Sequence, residues 1–275
     1  MKDSSGKIGA VVEVLVVFSA TMLLMGGIIV SPLERAEISL WGRPFLVNAV
    51  EAAVPLAVLL LTRRRLADYG LVVRPLGYHL KVVGTCAIPV ALAGTSSMFF
   101  DPRRWDGALP LTGVSLALLF CLAWLLRDKP DPVRAIGTGS MLALLPATQL
   151  ARDLPVGKAL SAFVFFLFFV GPAEEILFRG YIQSRLNQAF GKPFRFLGVT
   201  WGWGLLGASA LFGLMHVLNL GGLNHAGWQL QPAYGVWTFV GGCVFGLVRE
   251  KTGSVLAPAI LHGFPQAISY PFLGL

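Results

Sequence analysis

GPAEEILFRGYIQSR, Gly171 to Arg185, follows the run AFVFFLFFV at 162–170, so two adjacent carboxylates stand at the end of, or inside, a segment apolar enough for a membrane. Taking an ionised carboxylate out of water costs several kcal/mol even after relaxation. An ionisable side chain at membrane depth is therefore a functional candidate by default. Arg179 follows Glu175 by four residues, close enough on one helix face to pair with it. Glu174 points about 100° away around the helix. One carboxylate is thus neutralised by its own helix and the other is left free for chemistry. The blander alternative is a helix end that reaches the interface with an ordinary ion pair. Against it stands the company: of four histidines, His216 and His262 also lie inside later apolar segments.

Of the 275 residues, 55% are hydrophobic and 13% charged. A soluble domain carries about 25% charged residues, so the composition is that of an integral membrane protein. With roughly 20 residues per spanning helix, eight or nine spans use up the chain. The expected fold is an all-α, polytopic transmembrane helix bundle with a polar intramembrane cavity and no sizeable extramembrane domain. The net charge of +8 does not point to nucleic acid, because Lys and Arg are spread through short loops and form no stripe. Cys86, Cys121 and Cys243 show no metal or redox spacing and read as small buried hydrophobes. The first apolar segment lacks a cleavage site and reads as a retained span. Neither end carries a lipidation motif.

Going outward from the Glu pair, spans are expected at 8–30, 45–62, 80–99, 108–126, 135–150, 158–190, 197–218, 233–248 and 254–271, the fifth being short and broken by Pro146. The motifs divide the chain into N-terminal helices without signature, 1–157, and a catalytic set, 158–275. Glu13 and Glu51 interrupt the first two spans with no partner nearby in sequence, and read as structural or protonated groups facing the bundle interior or the interface. His79 reads as a solvated residue of a basic loop. Alternate loops place 16 of the 22 Lys and Arg on one side, Arg179 among them. Positive charge stays inside, so the N-terminus is expected in the cytoplasm of a bacterial or archaeal cell.

In LFGLMHVLN, Phe212 and His216 are one turn apart; in APAILHGFPQ, His262 and Gln266 are. Each pair shares a helix face. Burial raises a carboxylate's proton affinity and makes it a competent general base near neutral pH. Glu174 is placed to deprotonate a water held with His216, while His262 and the Gln266 amide donate to the oxyanion of a tetrahedral intermediate. Pro258 and Pro265 bracket His262 and can kink the last span where substrate enters. A zinc reading competes, with Glu175, His216 and His262 as three ligands and water as the fourth. No His-Glu-x-x-His is present, and Arg179 competes for Glu175.

Glu174-Glu175-x-x-x-Arg179, Phe212-x-x-x-His216 and His262-x-x-x-Gln266, in that order on successive apolar segments, resemble the CAAX-protease and bacteriocin-processing (CPBP, or ABI) family of Rce1-type intramembrane proteases. The resemblance covers roughly residues 158 to 271. It implies a helical bundle whose cavity opens to one side of the membrane. It also implies that Glu174 activates water with help from His216, that His262 and Gln266 form the oxyanion side, and that Glu175 and Arg179 support the site or orient substrate. The implied chemistry is glutamate-dependent, without a cofactor. The implied partners are the lipid bilayer and a protein substrate with a C-terminal motif or hydrophobic anchor, cleaved near that end. The family's third motif usually closes with Asn, where this chain has Gln266, one methylene longer. Two other readings remain: a non-catalytic immunity or scaffold protein of the same fold, and a small-solute transporter, which should show inverted repeats that the sequence lacks.

Overall fold

The computed structural model describes residues 2–127 and 156–269; the span expected at 135–150 lies outside them. Among the described residues, and short 3-10 turns aside, nine helices and one hairpin follow in order: α1 (Lys2–Ile29), α2 (Pro32–Trp41), α3 (Phe45–Leu61), α4 (Leu76–Thr95), α5 (Trp105–Leu125), α6 (156–190), β1 (Phe194–Phe196), β2 (Val199–Trp201), α7 (Trp203–Leu218), α8 (Pro232–Thr252) and α9 (Leu256–Ser269). Five of the described helices are long and apolar enough to cross a membrane, or six if α2 and α3, which meet at 118°, count as one broken span. α8 forms close to its expected place. α9, at 14 residues, is about 21 Å long, short of the roughly 30 Å hydrocarbon core.

The distribution of polarity is that of a protein dissolved in lipid. Leu23 and Leu61 are 77% and 84% exposed, whereas Glu175 and Arg179 are fully buried. Water would reverse that arrangement, because an apolar surface is stable only against an apolar solvent. The chain is an integral membrane protein built as an all-α polytopic bundle.

α6 is the hub. It packs against α1, α3, α7, α8 and α9, and its buried Leu177, Phe178, Tyr181 and Ile182 join one apolar cluster with Val14, Phe18 and Met22 of α1 and Phe212 of α7. Without a hydrophobic force between helices in lipid, close backbone packing has to hold them. At the α6–α9 crossing a Cβ on Gly171 would lie 2.5 Å from the Ala259 carbonyl oxygen, and one on Gly263 would run into the Phe166 carbonyl. Only glycine fits at either place.

Two sequence expectations change. Residues 197–202 do not begin a helix: Phe194↔Trp201 and Phe196↔Val199 pair as a hairpin, turned by Leu197 (φ 43°) and Gly198 (φ 85°). A two-residue turn with positive φ at both positions matches the twist of paired strands, and Pro193 and Gly198 were the overlooked signals. His79 is not solvated; it lies in the first turn of α4, 1% exposed. Glu13 is structural, as expected, and its partners come from distant parts of the chain. Arg64 and Arg185 both bind it, Arg185 Nε donating at 2.9 Å, and the Tyr181 hydroxyl donates at 2.7 Å. The bond to Glu13 pushes the Arg64 pKa up. This bridge ties α1 to the end of α3 and to α6. Glu13→Ala should therefore lower the melting temperature in detergent, by a loss of about 1–3 kcal/mol for charged hydrogen bonds. An unchanged melting temperature would show the bridge to be idle.

Candidate active site

α6 does not stay α-helical through the Glu pair. Around the α-helical turn Gly171–Glu175, the stretches Phe166–Val170 and Ile176–Ile182 widen to i→i+5 hydrogen bonding. Such widening is rare and concentrates at functional sites. Its occurrence on both sides of two carboxylates was not readable from apolar periodicity.

The Glu175–Arg179 pair forms as expected, Arg179 Nη1 to Glu175 Oε1 at 2.7 Å with both side chains fully buried. Arg179 is therefore no cytoplasmic loop charge, and it drops out of the topological count. Its Nη2 donates to the Gly242 carbonyl of α8 at 3.1 Å, and its guanidinium lies 4.6 Å from the Phe212 ring centre and 5.7 Å from that of Phe245. The aromatic faces and one carbonyl thus share a charge that lipid could not solvate.

α9 brings His262 between the two carboxylates. Its Nδ1 lies 2.9 Å from Glu175 Oε1, which accepts, so Nδ1 carries the proton. Its Nε2 stands 3.3 Å from Glu174 Oε2, close but without hydrogen-bond alignment. Phe245 stacks on the imidazole at 4.5 Å and 16°, and Phe212 meets it edge-on at 5.7 Å. The ring is held by Phe245 on one face and by a hydrogen bond at Nδ1.

His216 occupies the end of α7. Its Nδ1 is 2.9 Å from the Phe212 carbonyl, so that nitrogen donates and Nε2 keeps a free lone pair. Tyr234 closes on the ring edge-to-face at 4.9 Å. His216 is within electrostatic reach of Glu174, His262 and Arg179, but the imidazole in contact with Glu174 is that of His262. Gln266 follows one turn after His262 and buries its Oε1 without a partner.

The structure therefore brings Glu174, Glu175, Arg179, Phe212 and His262 into direct contact, with His216 alongside. Sequence reasoning missed Gly242 and Phe245 of α8, since a main-chain carbonyl and an aromatic in an apolar helix carry no chemical signal. Glu51 of α3 faces the bundle interior, as expected; it is 1% exposed and within electrostatic reach of both Glu174 and Glu175. Among the described residues, no three His, Cys, Asp or Glu side chains stand at the mutual spacing of a metal centre. In the zinc set the Glu175 oxygen is shared with Arg179 and the His262 Nδ1 proton.

The Gly171–Gly263 contact sets the distance between the Glu pair and His262. Gly263→Val should push α9 off α6 and reduce any activity of the site at least about tenfold, since displacement of a catalytic group by about 1 Å costs up to a hundredfold. The measurement is turnover against wild type at matched expression, and full turnover would show that the crossing does not set the geometry.

Residues 156–268 match the family model described as type II CAAX prenyl endopeptidase Rce1-like. Over 126 residues the chain is 29% identical to cationic amino acid transporter 5 of Arabidopsis thaliana, a stretch covering 46% of this chain. It spans only 22% of that relative's length. No solved structure matches the chain.

Proposed function

We propose, on the premise that the chain belongs through residues 156–268 to the Rce1-like family, that it is an intramembrane endopeptidase. Its substrate is a membrane-associated protein, cleaved near a C-terminal CAAX-type motif or hydrophobic anchor. The observation that carries the reading is His262 held at 2.9 Å from Glu175 and 3.3 Å from Glu174 in a buried, aromatic-walled site.

Glu174 is the general base, because Arg179 and His262 already occupy Glu175. As the oxygen of water bonds to the peptide carbonyl carbon, Glu174 takes one of its protons, and His216 Nε2 accepts a hydrogen bond from the other. The carbonyl electron pair moves onto oxygen. With its Nδ1–H bonded to Glu175, His262 donates to the new oxyanion from Nε2 as the imidazolium, beside the Gln266 amide. Collapse breaks the C–N bond, and Glu174 returns its proton to the leaving amine. Zinc held by Glu175, His216 and His262 is the competing mechanism, and it requires Glu175 to leave Arg179. The positive-inside bias favours a cytoplasmic N-terminus.

The test is purified protein in liposomes with two peptide sets, one bearing prenylated C-terminal CAAX motifs and one bearing C-terminal hydrophobic anchors, with products identified by mass. Cleavage of neither set, from either side of the membrane, overturns the reading. The likeness to a named transporter favours one second reading, passage of a small cationic solute. Arginine or lysine flux that persists in Glu174→Ala and His262→Ala would decide for it.

A further inference from the structure

The buried stripe of α3 runs Val47, Glu51, Pro55, Leu59, one residue per turn. α3 packs on α1 and on α6, the Gly171–Glu175 turn included, and Glu51 is the only acid of the stripe. Its Oε1 is buried and has no hydrogen-bond partner. The other charges near α3 are turned elsewhere: Glu13 binds Arg64 and Arg185, Glu37 accepts from the Leu46 amide at 3.0 Å, and Arg179 binds Glu175. Glu174 and Glu175 are the charged groups whose field reaches Glu51. A structural carboxyl at such depth is normally paired or fully hydrogen-bonded. Glu51 Oε1 is neither.

Three more acceptors at the site are in the same condition: Glu174 Oε2, Glu175 Oε2 and Gln266 Oε1 are buried without hydrogen-bond partners. Against these four oxygens from three helices stands one unpartnered buried donor of the site, Arg179 Nε, so the acceptors outnumber the donors the chain supplies. Water is the donor that hydrolysis itself demands.

We propose that Glu51 is a third carboxyl of the hydrolytic centre, a catalytic residue whose Oε1 accepts a hydrogen bond from the attacking water and holds it against Glu174. The N-terminal helices then supply part of the active site and are more than a membrane anchor. Glu51 forms no bond to substrate; it fixes the water's orientation while Glu174 removes the proton. This rests on the hydrolytic reading above.

The test compares Glu51→Leu and Glu51→Gln with wild type in the liposome cleavage assay and in thermal melts. Leucine removes the acceptor. Glutamine keeps an oxygen of nearly the same reach. The expected result is a fall in kcat of about a hundredfold for Glu51→Leu at unchanged KM, with Glu51→Gln retaining at least a tenth of wild-type kcat. The melting temperature of Glu51→Leu should match or exceed wild type, because leucine in place of an unpartnered buried carboxyl stabilises. A kcat for Glu51→Leu within about twofold of wild type, or a lower melting temperature in both variants, overturns the proposal. If wild type cleaves nothing, the hydrolytic reading fails by itself and the melts still decide: a more stable Glu51→Leu supports a group retained for function, and a less stable one makes Glu51 structural.

Discussion

Glu174→Ala is expected to reduce cleavage at least about a thousandfold while the protein stays folded and inserted. Glu174 is partly accessible, with 13% of its side chain exposed, and the His262 ring stands 3.3 Å from it. Removing it leaves no buried charge without a partner, because His262 keeps Glu175 at 2.9 Å. The expected pattern is therefore lost kcat with a near-native melting temperature. Glu174→Gln should be as inactive, since an amide keeps the size and accepts no proton. Turnover within about tenfold of wild type in either variant would remove Glu174 as the base.

Arg179→Leu should have the opposite signature, a large loss of stability. Arg179 and Glu175 are both fully buried and 2.7 Å apart. Deleting one member leaves the other uncompensated, at a cost of roughly 3–5 kcal/mol. The Gly242 carbonyl also loses its donor. Arg179→Lys keeps the charge without the planar fork that serves Glu175 and Gly242 together, so it should recover only part. The double substitution Glu175→Gln/Arg179→Leu should melt well above Arg179→Leu alone, because the stranded charge is gone. Melting in detergent decides the matter; if the single and double variants melt alike, Arg179 is not there to neutralise Glu175.

These two variants separate roles that adjacent residues in a sequence cannot separate. The i,i+4 spacing predicted which carboxylate Arg179 binds, and the pair formed because helix geometry is local. The order of the Glu pair, His216 and His262 on apolar segments was readable for a related reason: polar groups are so costly in lipid that their mere presence is informative. The stretch that matches the Rce1-like family model, residues 156–268, contains the same motifs.

Other features were not legible. Glu51 lies more than a hundred residues before Glu174, and nothing in span two marks it as different from Glu13. Yet Glu13 found two arginines and a tyrosine, while Glu51 found two carboxylates. Their fates depended on the helices that packed beside them. The wider turns of α6, the aromatic faces of Phe245 and Phe212 around His262, and the hairpin in place of the first turn of α7 likewise depend on neighbours.

By itself, the sequence determined the solvent, the helical class and the polar residues a membrane would not tolerate without use, because those follow from composition and from contacts within one or two turns. Tertiary structure alone decided which imidazole touches Glu174, that Gly171 and Gly263 set the approach, and that the Glu51 carboxyl of α3 is buried with Oε1 unpartnered. Those outcomes are set by backbone contacts and fields between helices distant in the chain, and no period along the sequence encodes them.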